Sequence, residues 1–153
     1  MRREDKKIIG RTEIDQIIKN TNVCRIAFAD NNTPYIVPVS FGYDGKDIFI
    51  HTAKVGRKID FIKKNNLICF EFEADVKTID DENIPCKWTS AYKSVIGYGK
   101  IIELKDFADQ EKAINQIMLH YSGKKWEFNK DMFKRVKLWK IEIDEISGKQ
   151  SGY

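Results

Sequence analysis

Asp47-Ile48-Phe49-Ile50-His51-Thr52-Ala53-Lys54-Val55-Gly56-Arg57-Lys58-Ile59 carries a strand into a helix across one short join. Ile48, Phe49 and Ile50 are apolar and β-prone, whereas Ile59 and Ile62 recur at helical spacing on one face. Lys54, Arg57 and Lys58, with the Thr52 hydroxyl and Gly56, therefore crowd a helix N-terminus. Unpaired N–H groups and the positive end of the macrodipole already favour an anion there. A segment that needed only a helix would carry acids in its first turn. The pattern predicts a phosphate site, of the kind that holds the phosphate of a small cofactor. From the residues alone, a solvated lysine-rich face explains the same cations equally well.

Outward from this join the strands multiply. Val23–Ala29 reads as a strand with Cys24, Ile26 and Phe28 on one face, and Asp30-Asn31-Asn32-Thr33 is turn chemistry. Pro34–Tyr43 reads as the next strand, and Asp44-Gly45 as a tight hairpin into Asp47–His51. Beyond the Gly56–Lys64 helix, Leu67–Ala74 alternates Ile68, Phe70 and Phe72 against Glu71 and Glu73. Residues 75–90 are polar and read as a long irregular excursion, a feature usually functional or mobile. Lys93–Leu104 returns to strand character, with Gly97 and Gly99 marking a bulge or barrel bend. Leu138–Ile143 is the last strand. Thr12 reads as the N-cap of a first helix bearing Ile14, Ile17 and Ile18. Asp106 opens another, whose stripe of Ile114, Ile117, Met118 and Tyr121 stops at Gly123. About six strands with hairpins at the start, plus a few helices, predict a mainly β protein, a β-barrel with helical decoration.

Composition narrows the partners. The 153 residues make most simply one domain over 1–153, large enough to bury roughly two-thirds of its unfolded surface. Acids are interleaved with bases and the net charge is only +4, so nucleic acid is not the expected partner. The polar run Met1–Lys7 has no apolar h-region and no window reaches a membrane span, so neither secretion nor a membrane is expected. Cys24, Cys69 and Cys86 lack any C-x-x-C spacing, which argues against a disulfide framework and a zinc site. A reducing, cytoplasmic home is expected. The two histidines, His51 and His120, are too few for a His-based metal site.

Three stretches together resemble a known family: Val37-Pro38-Val39-Ser40-Phe41-Gly42-Tyr43, His51-Thr52-Ala53 with Gly56-Arg57-Lys58, and Tyr92-Lys93-Ser94-Val95-Ile96-Gly97-Tyr98-Gly99. In this order they are similar to the FMN-binding split barrels of the pyridoxamine 5′-phosphate oxidase-like superfamily, and most to its nitroimidazole-resistance (Nim-related) branch. The likeness runs from about Ile14 to Ile146–Lys149. It implies a Greek-key split barrel that forms a homodimer and binds FMN in clefts at the subunit interface. Thr52, Ala53, Gly56, Arg57 and Lys58 would then surround the phosphate; Val37, Pro38, Val39 and Ser40 would run along the flavin ring. Ser94 matches a polar position often supplied by the partner subunit, and His51 matches a histidine near the flavin. The ring needs an apolar wall, for which Val37, Val39 and Phe41 are the expected groups. Where the parent oxidases carry basic residues, this chain has Ile36 and Phe41, and it ends in Ser147-Gly148-Lys149-Gln150-Ser151-Gly152-Tyr153 instead of an Arg/His-containing motif. Oxidation of vitamin B6 phosphates is therefore not the implied activity. The implied activity is a flavin reductase acting on a small flat acceptor such as a nitroimidazole or nitroaromatic, with His51 as proton donor or orienting group.

Other readings stand beside these. No Gly-rich dinucleotide fingerprint is present, so NAD(P)H would only visit the cleft transiently. A flavin carrier without turnover, or a haem-binding barrel using His51 or His120 as axial ligand, fits the same family outline. His51 also reads as an ordinary strand-end histidine, and His120 as a dipole or packing residue. Cys86, beside Lys87, reads better as an incidental cysteine than as a reactive thiol. Trp88 and Tyr92 either line a cleft or pack a loop onto the barrel.

Overall fold

Strict alternation builds the first hairpin. In the computed structural model, which describes residues 3–153, Cys24, Ile26 and Phe28 of β2 (Cys24–Asp30) are buried while Arg25 and Ala29 face outward. Met1 and Arg2, which open the polar N-terminal run, lie outside the described residues. Asn31 and Asn32 take left-handed φ values of 46° and 60°, the two-residue turn whose twist suits a hairpin. β2 therefore pairs with β3 (Thr33–Val39) from Asp30↔Thr33 to Cys24↔Val39.

The strand expected over Pro34–Tyr43 is in fact two. It breaks at Ser40, and β4 (Phe41–Tyr43) turns away to pair with β5 (Asp47–Ala53). That break closes the barrel. The sheet runs β3-β2-β6-β7-β8-β5-β4, so its two end strands are joined through Ser40 alone, and a ribbon can meet its own far end only by curling round. A two-residue β1 (Lys7–Ile8) pairs onto β8 (Val136–Ser151), which brings the sheet to eight strands against the six expected. α2 (Arg57–Lys64) carries the chain from β5 to β6 (Leu67–Ile79). β6, β7 (Thr89–Leu104) and β8 then run as a meander, and β8 lies beside β5, which makes the path a Greek key.

Polar sequence conceals how long the later strands are. A bulge between Ala74 and Lys77, with Asp75 at φ 55°, is followed by renewed pairing from Lys77↔Ala91 to Ile79↔Thr89. The excursion expected over 75–90 thus shrinks to the segment 80–88. Backbone pairing there needs no apolar side chains, and a two-stranded ribbon in which only Ala91 is buried shows no hydrophobic alternation. β8 runs to Ser151 past a second irregularity, where Tyr98 faces Glu145 and Gly99 faces Ile143, leaving Asp144 as the extra residue. Gly97 and Gly99 belong to this bend. A Cβ on Gly97 would collide with the Phe70 ring and the Glu145 carbonyl, and one on Gly99 with the Glu142 carbonyl.

Helices seal the barrel. α1 (Arg11–Lys19) starts two residues earlier than the Thr12 cap expected, with Gly10 as N-cap and no side-chain cap. Arg11 is drawn in by tertiary contacts, its guanidinium donating to Asp15 Oδ1 at 2.9 Å and to Tyr43 Oη at 2.8 Å. Ile14, Ile17 and Ile18 of α1 and Ile59 and Ile62 of α2 join the barrel-interior cluster around Phe28, Phe41, Phe70, Phe72 and Trp139. α3 (Phe107–Ser122), ended by Gly123 at φ 71°, covers the outer side of β5 and β8 through Ala113 and Ile117 against Phe49 and Leu138. Across the sheet, Ile36, Ile96 and Tyr98 remain 62%, 44% and 49% exposed.

Candidate functional site at the mouth of the second helix

Gly56 caps α2 at φ 129°, a conformation that an L side chain resists, with open space where its Cβ would stand. Its carbonyl accepts from Ile59 N at 2.9 Å and Asp60 N at 3.2 Å, and no side chain caps the helix start. The Arg57 and Lys58 N–H groups, which precede Ile59 in the first turn, are left to an external acceptor. Among the described residues, Lys54, Arg57 and Lys58 form no ion pair with a carboxylate. At the other end of α2, Lys64 Nζ lies 2.7 Å from Asp30. The cations at the mouth are thus uncompensated. Arg57 is held toward β3, its guanidinium carbon 4.8 Å from the centre of the Tyr35 ring and 5.8 Å from that of Phe61.

Strand parity decides what each expected residue can offer. Pro38 and Ser40 face outward from β3, whereas Val37 and Val39 pack inward against the barrel core. Phe41 shares their parity and is fully buried, 4.8 Å from Phe72 and 4.4 Å from His120 between ring centres. The expected wall of Val37, Val39 and Phe41 side chains is therefore turned into the barrel. What reaches the outer face is Pro38, the Ser40 hydroxyl and the backbone of the valines. On β5, His51 and Ala53 face outward and Thr52 inward. Trp139 Nε1 donates to Thr52 Oγ1 at 2.9 Å, and the threonine hydroxyl donates to Ala53 O at 2.8 Å. Thr52 is 3% exposed, so its hydroxyl serves the barrel and only its backbone is left for a ligand. Neither Trp139 nor Tyr35 was legible as a partner, because each contact crosses between strands with no local signal.

Partial burial of its ring lowers the pKa of His51, and the Lys58 ammonium lowers it further. The imidazole is neutral at neutral pH. His120 is used structurally: its Nε2 lies 2.8 Å from Thr21 O and its ring packs at a tilt against Phe41. Ser94 is not brought to His51. It pairs with Lys149 across β8, whereas His51 pairs with Leu138, eleven residues away along the same strand, or roughly 35 Å of extended chain. Instead Ser94 faces a concavity of about 420 Å³ on the open side of the sheet, beside Ile96, Tyr98 and Lys149. At the β6–β7 tip, Trp88 Nε1 donates to Asp81 O at 2.8 Å, which packs the loop on itself; Cys86 beside it is exposed. Among the described residues no helix is long and apolar enough to cross a membrane.

The chain is similar to a candidate 5-nitroimidazole antibiotic resistance protein from Bacteroides thetaiotaomicron VPI-5482, at 27% identity over 94% of this chain and 86% of that one, with a TM-score of 0.84. The fold is shared with the flavocytochrome Anf3 from Azotobacter vinelandii, at 14% identity over 100% and 72% of the two chains and a TM-score of 0.82. It is also shared with a FAD binding protein from Mycobacterium smegmatis, at 20% identity over 94% and 98% and a TM-score of 0.63. No curated protein matches the chain. The pyridoxamine 5′-phosphate oxidase family matches it over residues 10–150, nearly its whole length. With its split barrel and a family match over nearly its whole length, the chain belongs to the pyridoxamine 5′-phosphate oxidase family.

Proposed function

We propose that the chain is an FMN-binding reductase that works as a homodimer in the cytoplasm and passes electrons to a small, flat, electron-poor acceptor such as a nitroimidazole. The observation that carries the reading is the α2 mouth, where three cations without carboxylate partners among the described residues cluster at a helix start whose N-cap is Gly56 and which no side chain caps. A phosphate dianion there gains a charged hydrogen bond from each cation that reaches it, worth about 1.5–3 kcal/mol apiece. Gly56 leaves room for the phosphate to approach the backbone. Pro38 and Ser40 offer an apolar edge and a hydroxyl to a planar ring, and Tyr35 steadies Arg57 from below.

When bound, FMN supplies the electron and hydride chemistry; the chain supplies position and polarity. His51, neutral and outward-facing, can donate one ring N–H to an acceptor over the ring. Ser94 lies too far along β8 from His51 to share one site with it in a single chain, which favours completion by a second copy. Ile36, Ile96 and Tyr98, exposed on one side of the sheet, are the expected contact between the copies. The similarity to a candidate nitroimidazole-resistance protein supports the choice of acceptor. Vitamin B6 phosphate is not the proposed substrate, because the exposed Ile36 offers no cation to its phosphate.

The test begins with the absorbance spectrum and gel-filtration volume of the purified protein. A bound flavin on a dimer, bleached by NAD(P)H and reoxidised by a 5-nitroimidazole under anaerobic conditions, is the expected result. A flavin that no nicotinamide or acceptor affects would leave a carrier instead. A Soret band in place of the flavin spectrum, or a strict monomer, would overturn the reading.

A further inference from the structure

Lys54 belongs to two neighbourhoods. It stands at the α2 mouth, and it also lines a cavity of about 300 Å³ walled by the end of β7, the start of α3 and the start of β8. Strand register sets this annex beside the mouth. Val136 of its wall pairs with Ala53, and Leu138 pairs with His51, so Val136 is two residues, roughly 7 Å, along β8 from the position opposite His51. Three ammonium groups, of Lys54, Lys105 and Lys137, share the annex with the one carboxylate of Glu103. Lys137 Nζ lies 2.8 Å from Glu103, and that pair neutralises itself. Among the described residues Lys54 and Lys105 have no carboxylate partner. The charge left over suits a phosphate monoester, which carries about −1.5 to −2 at neutral pH. Leu104, Phe133 and Val136 add an apolar wall, with the Phe133 ring fixed against Phe107 and Phe128. Gln110 Nε2 donates to Leu104 O at 3.0 Å, and among the described residues no donor reaches its amide oxygen. At this volume the annex takes one nucleoside-sized group and not a whole dinucleotide.

We propose that the annex binds the 2′-phosphoadenosine end of the nicotinamide donor, so that the protein uses NADPH in preference to NADH. The choice of a nicotinamide donor rests on the FMN reading; the affinity of the annex for the phosphorylated nucleoside does not. Lys54 and Lys105 take the 2′-phosphate, Leu104, Phe133 and Val136 take the face of the adenine, and the Gln110 amide oxygen accepts from its amino group. Arg57 and Lys58 remain for the FMN phosphate. NADH lacks the 2′-phosphate and leaves both ammonium groups unmatched. The hydride passes from the nicotinamide, which is oxidised, to the flavin, which is reduced; the annex takes no part in that transfer. Lys105 is the residue that sets the donor preference.

Equilibrium dialysis of the purified protein against 2′,5′-ADP and 5′-AMP, which differ only in that phosphate, tests the annex without turnover. The parent should bind 2′,5′-ADP roughly tenfold more tightly, the span of one charge-assisted hydrogen bond. Lys105→Gln, which breaks no ion pair, should erase most of that preference and raise KM for NADPH in step. Its kcat, its KM for NADH and its FMN affinity should stay at the parent's values. Equal affinity for the two fragments in the parent, or an unchanged preference in Lys105→Gln, overturns the proposal. So does weaker FMN binding in Lys105→Gln, or bound FAD in a protein that takes up no 2′,5′-ADP, because the annex would then house the cofactor. A protein that holds no FMN yet keeps a Lys105-dependent preference refutes the flavin reading and leaves the annex standing. One that holds FMN and shows no preference refutes the annex alone.

Discussion

Replacing Arg57 and Lys58 together by alanine should cost the chain its hold on FMN while sparing riboflavin, which lacks the phosphate. Neither cation is engaged with a carboxylate among the described residues, so the double variant breaks no ion pair in the free protein. Each charged hydrogen bond to the phosphate is worth about 1.5–3 kcal/mol, and exposure of the mouth puts both at the lower end. The sum, about 3 kcal/mol, corresponds to a loss of roughly 150-fold in FMN affinity. The first-turn N–H groups and the macrodipole remain and keep about 0.3–1 kcal/mol of the attraction. The fold gives up the cation–π contacts of Arg57 with Tyr35 and Phe61, about 0.5–1 kcal/mol at this exposed site. Fluorescence-quenching titrations with FMN and riboflavin, run in parallel at low and high salt, read the effect. The parent's FMN affinity should fall with salt, and the variant's should fall less steeply. If FMN binding stays within threefold of the parent, or riboflavin weakens in step with FMN, the phosphate does not dock at this mouth.

Three further outcomes follow from the same geometry. Thr52→Val should destabilise the protein by about 1–3 kcal/mol in urea unfolding, because it strands the buried Trp139 indole N–H, while leaving the FMN-to-riboflavin affinity ratio unchanged. Normal stability with a collapsed ratio would put that hydroxyl on the phosphate instead. His51 has a folded-state pKa below its ordinary 6.5, so the unfolded chain binds more protons in the window just below that value. Stability is then full above pH 6.5 and falls as pH drops through the window; His51→Gln should flatten this slope, and Lys58→Gln should move the His51 ring-proton NMR titration upward. Gly97→Ala would drive a methyl group into the Phe70 ring and the Glu145 carbonyl, costing about 1–3 kcal/mol. Calorimetry should find the thermal midpoint lower by roughly 2–4 °C for each kcal/mol.

How far the chain could be read varied with the kind of signal. Cys24, Ile26 and Phe28 announced β2, and Ile68, Phe70 and Phe72 announced β6, because one buried face imposes period-two alternation. The cationic helix start was legible for a similar reason, since Gly56, Arg57 and Lys58 are neighbours in sequence and their placement needs only one local turn. The ribbon from Lys77 to Ile79 and Thr89 to Ala91 was not, because Ala91 alone of its residues is buried and that leaves no alternation to detect. Parity misled where it was not carried through: Val37, Val39 and Phe41 line one side of the second strand, and that side proved to be the barrel interior.

The sequence by itself determined the barrel class, the hairpin turns, the helix stops and the clustering of charge at the α2 mouth. All of these depend on residues a few positions apart, where propensity, capping and periodicity act. Tertiary structure alone decided that the chain breaks at Ser40 to close the sheet, that Thr52 spends its hydroxyl on Trp139, and that Lys7 faces Lys149. Those partners lie far apart along the chain, and only barrel closure and strand register, which are global properties of the packed sheet, bring them within reach of one another.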